Sequence, residues 1–227
     1  CLALFQSVDR ASIDGLIYVT QSPESTIPAT ACLLHESLQL PAQCLAFDLN
    51  QGCSGFVYGL SMATGLLISG QATKCLVVCA ESYSKYISHH DRTCRPIFSD
   101  GASAAVIDGQ SNGKIGPFVF STDGSGAPNL TLRDNKSAEV NGDKVLFMNG
   151  PKVLEFTMEA VPEAVEALLA KSGLELDRID LFVFHQASKV VLDRIMKRLS
   201  IAENRLYRNY EDVGNTVSAT IPIALQQ

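Results

Sequence analysis

Short, wholly apolar runs alternate with longer mixed stretches along this chain, and the runs set the predicted elements. Ile13-Asp-Gly-Leu-Ile-Tyr-Val-Thr20 is continuous and rich in β-formers, the pattern of a strand covered on both faces. Leu45 to Asn50 and Cys75 to Ala80 read the same way, and Phe98 to Ile107 reads as a turn followed by a further strand. Cys1 to Ser7 reads as the end of a helix and Gln21 to Ser25 as a polar turn. A helix is predicted from Ile27 to Leu38, around Pro28 and ended by Leu40-Pro41. Phe56 to Ser69 is apolar on nearly all sides, which predicts a buried helix closed by Gly70. Cys53 stands at the elbow between strand and buried helix.

The second half follows a looser pattern. Ser82 to Pro96 is polar and irregular, and Asp108 to Gly126 is rich in glycine, serine and asparagine. That second stretch predicts turns between short strands and a boundary between two halves, 1–112 and 113–227. Asn149-Gly-Pro151 opens a helix that runs to Ser172-Gly173 with a kink at Pro162. Arg178 to Phe184 predicts a strand ending on His185-Gln-Ala-Ser188. Val190 to Leu199 predicts a helix with Val191, Ile195 and Leu199 on one stripe and Arg194, Lys197 and Arg198 pointing elsewhere.

Repetition ties the halves together. Ile13 to Ser22 resembles Ile179 to Ser188, and each copy continues through a Gln-bearing turn, a helix, a leucine-rich helix end, a strand and a glycine elbow. The elbow Gly52-Cys53-Ser54 thereby gains a counterpart in Gly214-Asn215-Thr216. A duplicated βα unit packed about a pseudo-twofold axis would let the strand ends carrying Cys53, His185 and Asn215 meet, as sites do in open α/β folds.

Composition narrows the classes. With 227 residues, 46% apolar and 19% charged, the chain buries a sizeable core. A net charge of −6 argues against nucleic-acid binding, and no apolar run reaches the length of a membrane span. Seven cysteines without a CxxC pair read as reduced thiols in a cytoplasmic protein. The chain opens on Cys1 and stops at Ile221 to Gln227, the start of a helix, which reads as a piece of a longer chain. Gly124-Ser-Gly126 lacks the lysine and spacing of a P-loop and reads as a turn. His89, His90 and Asp91 are followed by no matching ligand cluster, so no metal is expected.

The elbow suits a nucleophile, because backbone N–H groups at a helix N-terminus favour a thiolate; a small buried core thiol is the alternative. An imidazole and a side-chain amide, such as His185 and Asn215, can hold protons and stabilise a thioester or enolate oxygen. A satisfied histidine at a sheet end is the alternative for His185.

Asp48-Leu-Asn-Gln-Gly-Cys-Ser-Gly-Phe56, Phe98-Ser-Asp-Gly-Ala-Ser-Ala-Ala105, His185-Gln-Ala-Ser188 and Gly214-Asn-Thr-Val-Ser-Ala219, in this order, closely resemble β-ketoacyl-acyl carrier protein synthase III of the thiolase superfamily. The resemblance implies an α/β, thiolase-like layered αβαβα fold with internal duplication, incomplete at both termini. It implies that Cys53 attacks an acyl-CoA and carries the acyl group, while His185 and Asn215 promote decarboxylation of malonyl-acyl carrier protein. The enolate then attacks acyl-Cys53 in a Claisen condensation without metal or redox cofactor. By the same likeness Arg92 matches a CoA-adenine contact, Phe98 an aromatic beside the CoA site, and Met148, Gly150, Leu154, Ala187 and Ser188 the pantetheine tunnel. Ile27 matches a position that caps the acyl pocket across a homodimer interface. The alternatives are plain core for Met148 and Leu154 and a solvated loop charge for Arg92. The basic face of Arg194, Lys197 and Arg198 suits an acidic carrier protein, or is simply a solvated helix face.

The family pattern has asparagine where Ser188 stands, which implies a weakened supporting contact. Segments expected before and after this chain include the glycine-rich strand and turn that complete the oxyanion hole. Two other readings are a synthase-III-like enzyme that passes the acyl group to an alcohol or amine without condensation, and a non-catalytic interaction module. In an active enzyme, iodoacetamide is expected to label Cys53 much faster than Cys32 or Cys75.

Overall fold

The computed structural model describes residues 3–109, 113–135 and 144–227. In chain order these form β1 (Gly15–Val19), α1 (Thr30–Leu38), β2 (Leu45–Leu49), α2 (Gly55–Ile68), β3 (Lys74–Glu81) and β4 (Gly101–Asp108). They continue with β5 (Leu130–Asp134), β6 (Lys144–Met148), α3 (Gly150–Ser172), α4 (Lys189–Leu199), α5 (Tyr210–Val213) and α6 (Thr220–Gln226). Two compact units result: one of residues 1–82, 100–115 and 216–227, the other of residues 83–99 and 116–215. These units are a different partition from the repeat halves, whose boundary at residue 112 lies outside the described residues.

In the first unit the sheet order is β2-β1-β3-β4. β1 runs parallel to both neighbours, with Gly15 opposite Leu45 and Cys75, and β4 runs antiparallel to β3. Parallel neighbours need crossovers, which α1 and α2 supply on opposite faces. Leu16, Leu76 and Val78 pack with Ala31 and Leu38 of α1. Ile17, Val19, Val77 and Cys79 pack with Phe56 and Ala63 of α2 and with Ala219. Burial on both faces is why the strands read as unbroken apolar runs.

Three polar ties fix this frame. Asp14 accepts hydrogen bonds from the backbone N–H of Thr73 and Lys74 (both 2.8 Å) and from the Thr73 hydroxyl (2.7 Å), fastening the turn before β3. Asp48 accepts from the N–H groups of Thr30 (2.8 Å) and Ala31 (2.7 Å), so a strand residue caps α1. The helix therefore starts at Thr30 rather than at the expected Ile27. The third tie is Glu81, the last residue of β3, 5% exposed. The strand extends one residue beyond the expected Ala80 because the Glu81 side chain finds buried donors.

In the second unit β5 and β6 form an antiparallel hairpin. Asn149 caps α3 through the Lys152 N–H, and Gly173, at φ 68°, closes it with the left-handed conformation glycine adopts without strain. Leu192 of α4 packs with Phe182, Ile201 and Leu206, and Ile195 is buried on the same helix. The buried stripe is thus centred on Leu192 and Ile195 rather than on Val191, which is half-buried. Arg178 to Phe184, expected as a strand, begins on the last residue of a 3-10 turn (Leu176–Arg178) and forms only a parallel bridge between Phe182 and Leu206. A strand needs a ladder; here Phe182 N–H donates to Arg205 (2.7 Å) and Tyr207 N–H to Phe182 (3.0 Å), and no longer ladder forms among the described residues. The first copy runs strand, turn, helix, parallel strand, elbow and helix, whereas the second has a bridge in place of the strand pair and carries α5 before its elbow.

Candidate active site

β2 ends at Leu49, and the turn into α2 is closed by a bond from the Gly55 N–H to the Gly52 carbonyl (2.7 Å). Cys53 sits in that turn, partly exposed at the head of the helix. Two glycines make the turn possible. A Cβ on Gly52 would lie 2.3 Å from Gln21 Oε1, and one on Gly55 would lie 2.5 Å from Val19 Cγ1. The polypeptide at the cysteine is therefore pressed between the β1 end and its own helix.

Burial and the charge of Glu81 push the Cys53 thiol up to about 11, against the pull of its own backbone N–H. Desolvation is the larger cause and the carboxylate the second. Burial also raises Cys75, to about 11, and Cys79, to about 12. What sets Cys53 apart is its place at the turn, not its acidity.

Glu81 is the residue that sequence reasoning missed. Its carboxylate accepts from the Ser22 hydroxyl (2.8 Å), the Ser218 hydroxyl (2.8 Å), the Gln21 N–H (3.1 Å) and the Thr20 hydroxyl (3.3 Å). Burial raises this carboxyl above its ordinary value, while the bonds from Ser22, Ser218, Gln21 and Thr20 lower it. The signal available in the sequence was an acidic residue directly after the buried run Cys75 to Ala80. Next to Ser218, Val217 holds φ 54°, a left-handed conformation that costs a β-branched residue about 1–3 kcal/mol.

In the second unit, His185 is half-buried just after Phe184. The next residue, Gln186, is fully buried, donating to the carbonyls of Phe184 (2.8 Å) and Tyr207 (3.3 Å) and accepting from Asn209 N–H (3.0 Å). This amide pins the turn that carries the imidazole. Ser188 caps α4 by accepting from Val191 N–H (3.4 Å). Serine and asparagine are comparable caps, so the departure from the family's asparagine leaves this capping role filled.

Asn215, 5% exposed, is bridged to Phe98: its N–H donates to Ile97 (2.9 Å), and Ser99 N–H donates to its carbonyl (3.0 Å). Ser99 Oγ donates to the Val213 carbonyl. Gly214, at φ 68° and ψ −165°, has no room for a side chain, since a Cβ would lie 2.8 Å from Ser99 Oγ. Phe98 in turn stacks on Tyr83 with ring centroids 5.4 Å apart. The structure thus brings Phe98 and Asn215 together.

The other predicted positions fall on several elements. Ile27 is 88% exposed. Arg92 is exposed in a turn, Met148 ends β6 half-buried, Gly150 and Leu154 lie half-buried in the first turns of α3, and Ala187 is half-buried. Arg194, Lys197 and Arg198 lie exposed on α4. Asp91 is occupied by the N–H groups of Thr93 (2.7 Å) and Cys94 (2.9 Å), and the His89 ring by Arg95 (2.8 Å). Among the described residues no group of three or more His, Cys, Asp or Glu could hold a metal ion, and no helix is long and apolar enough to cross a membrane.

Comparison with known proteins gives this geometry a lineage. The 3-oxoacyl-[acyl-carrier-protein] synthase III family model matches residues 47–124, and its C-terminal companion matches residues 169–227. A β-ketoacyl-[acyl-carrier-protein] synthase III of Gloeobacter violaceus is 35% identical over 95% of this chain and 68% of its own length. That of Clostridium tetani is 32% identical over 97% of this chain and 70% of its own length. The crystal structure of a 3-oxoacyl-(acyl-carrier-protein) synthase III, 39% identical, superposes with a TM-score of 0.91 over 99% of this chain and 73% of that one.

Proposed function

The chain belongs to the 3-oxoacyl-[acyl-carrier-protein] synthase III family and has its thiolase-like α/β fold, and from that premise we propose the reaction it performs. It is a transferase that condenses an acyl group with malonyl-acyl carrier protein in fatty acid biosynthesis. Cys53 is the nucleophile: its sulfur attacks the carbonyl of an acyl-CoA thioester, the C–S bond to CoA breaks, and the CoA sulfur leaves with the proton that Cys53 gives up. A thiol near 11 is protonated at neutral pH, so attack needs a proton acceptor. His185 and Asn215 then stabilise the enolate formed when the malonyl thioester loses carbon dioxide. The enolate carbon attacks acyl-Cys53, a C–C bond forms, the C–S bond breaks and the sulfur regains its proton.

One observation carries this reading. Cys53 occupies the glycine-pressed turn at the head of α2, within the segment that the family model matches. Arg92, Phe98, Met148, Gly150, Leu154, Ala187 and Ser188 are the proposed CoA and pantetheine contacts, with no cofactor required. Arg194, Lys197 and Arg198 are the proposed carrier-protein contacts. A homodimer with Ile27 reaching the partner's acyl pocket is supported by its 88% exposure and by β2 lying at the edge of the sheet. A cytoplasmic location suits an enzyme that uses acyl-CoA and free thiols.

Incubating the full-length protein with acyl-CoA and malonyl-acyl carrier protein should release carbon dioxide and yield 3-ketoacyl-acyl carrier protein. Acyl transfer without carbon dioxide release would favour the non-condensing acyltransferase, and no acyl transfer at all the interaction module.

A further inference from the structure

Glu81 is a carboxylate, 5% exposed, reached by donors from two separated stretches: Thr20, Gln21 and Ser22 after β1, and Ser218 before α6. Both stretches lead to one residue. Gln21 places its side-chain oxygen, and Val217 its Cγ1, respectively 2.3 Å and 3.6 Å from where a Cβ of Gly52 would stand. Gly52 immediately precedes Cys53, and its carbonyl closes the turn onto Gly55. We infer that Glu81 is a positioning residue for the Cys53 nucleophile, its buried carboxylate fixing the two walls between which Gly52 passes. This inference rests on the assignment of Cys53 as the nucleophile.

A purely structural tie needs no charge, yet this one is a carboxylate whose charge adds to burial in raising the Cys53 thiol. The other titratable groups around it are Tyr18 of β1, whose hydroxyl burial and the Glu81 charge push up, Cys79 of β3, and Asp100, which lines the same cleft before β4. A glutamine at 81 keeps one acceptor oxygen for the Gln21 N–H and can donate its amide to the Ser218 hydroxyl, while removing the charge. An alanine removes both.

The test compares full-length wild type, Glu81→Gln and Glu81→Ala, reading by mass spectrometry the alkylation of Cys53 by iodoacetamide between pH 6 and 10, with exposed Cys32 as internal reference. Acylation of Cys53 by acyl-CoA is followed in the same proteins. Glu81→Gln should move the Cys53 profile to lower pH and raise the Cys53 to Cys32 alkylation ratio at pH 8 by about threefold or more, because the thiolate fraction of a mostly protonated thiol grows in proportion to its acidity. Glu81→Ala should slow acylation by at least about tenfold at unchanged KM, since the turn loses its walls while the substrate contacts stay. If Glu81→Gln folds and leaves both the alkylation profile and the acylation rate unchanged, Glu81 is a core tie and the inference falls. Failure of wild type to acylate Cys53 would instead overturn the proposed function, and the alkylation profile would still decide the role of Glu81.

Discussion

Residues His185 and Asn215 are held by backbone pairing and by one buried amide, so each can be replaced without dismantling its support. His185→Ala or Asn215→Ala should leave acyl-Cys53 formation from acyl-CoA detectable while lowering carbon dioxide release by at least about 10²-fold, measured with labelled malonyl-acyl carrier protein. Asp14 offers a prediction about stability instead. Burial pushes its carboxyl up, but the bonds from Thr73 and Lys74 prevail and leave it below its ordinary 3.8. A depressed carboxyl stabilises the fold above its unfolded value and loses that contribution as pH falls through the folded one. Asp14→Asn should therefore cost about 1 kcal/mol in denaturant titrations at pH 7, with the difference from wild type shrinking as the pH falls below 3.8. Glu81 and Gln186 show where reading residues singly falls short. Both are polar residues beside apolar runs, and only the fold reveals that Ser218, 137 positions from Glu81, is its partner.

Elements were legible wherever burial is two-sided. β1, β2 and β3 declared themselves as apolar runs because α1 and α2 cover opposite faces, and α3 was bounded correctly by Asn149 and Gly173 because its caps are local. The start of α1 was not legible, since its cap, Asp48, lies on another element. Helix α2 gives a paired test of packing. A Cβ on Gly65 meets nothing within 4 Å, whereas one on Gly55 would meet Val19 at 2.5 Å. Gly65→Ala should stabilise the protein by about 0.5–1 kcal/mol and Gly55→Ala destabilise it by about 1–3 kcal/mol, both read from chemical denaturation.

For the whole molecule, charge distribution governs partners more than fold. The chain carries a net charge of −6, yet Arg194, Lys197 and Arg198 are exposed together on α4. Reversing all three to glutamate should raise KM for malonyl-acyl carrier protein by about tenfold at low salt, with the effect fading at high ionic strength and acylation by acyl-CoA unchanged. The thiolase-like fold was legible from four joined motifs. The environment of Cys53 was not, because burial in the fold and a carboxylate brought from the end of β3 set it. The claim on which the rest depends is that Cys53 carries the acyl group, and intact-protein and peptide mass spectrometry after exposure of the full-length protein to a panel of acyl-CoAs tests it most directly. An acyl mass increment on the peptide containing Cys53, absent in Cys53→Ala, is the predicted result; no increment with any acyl-CoA, or one confined to another cysteine, would contradict it.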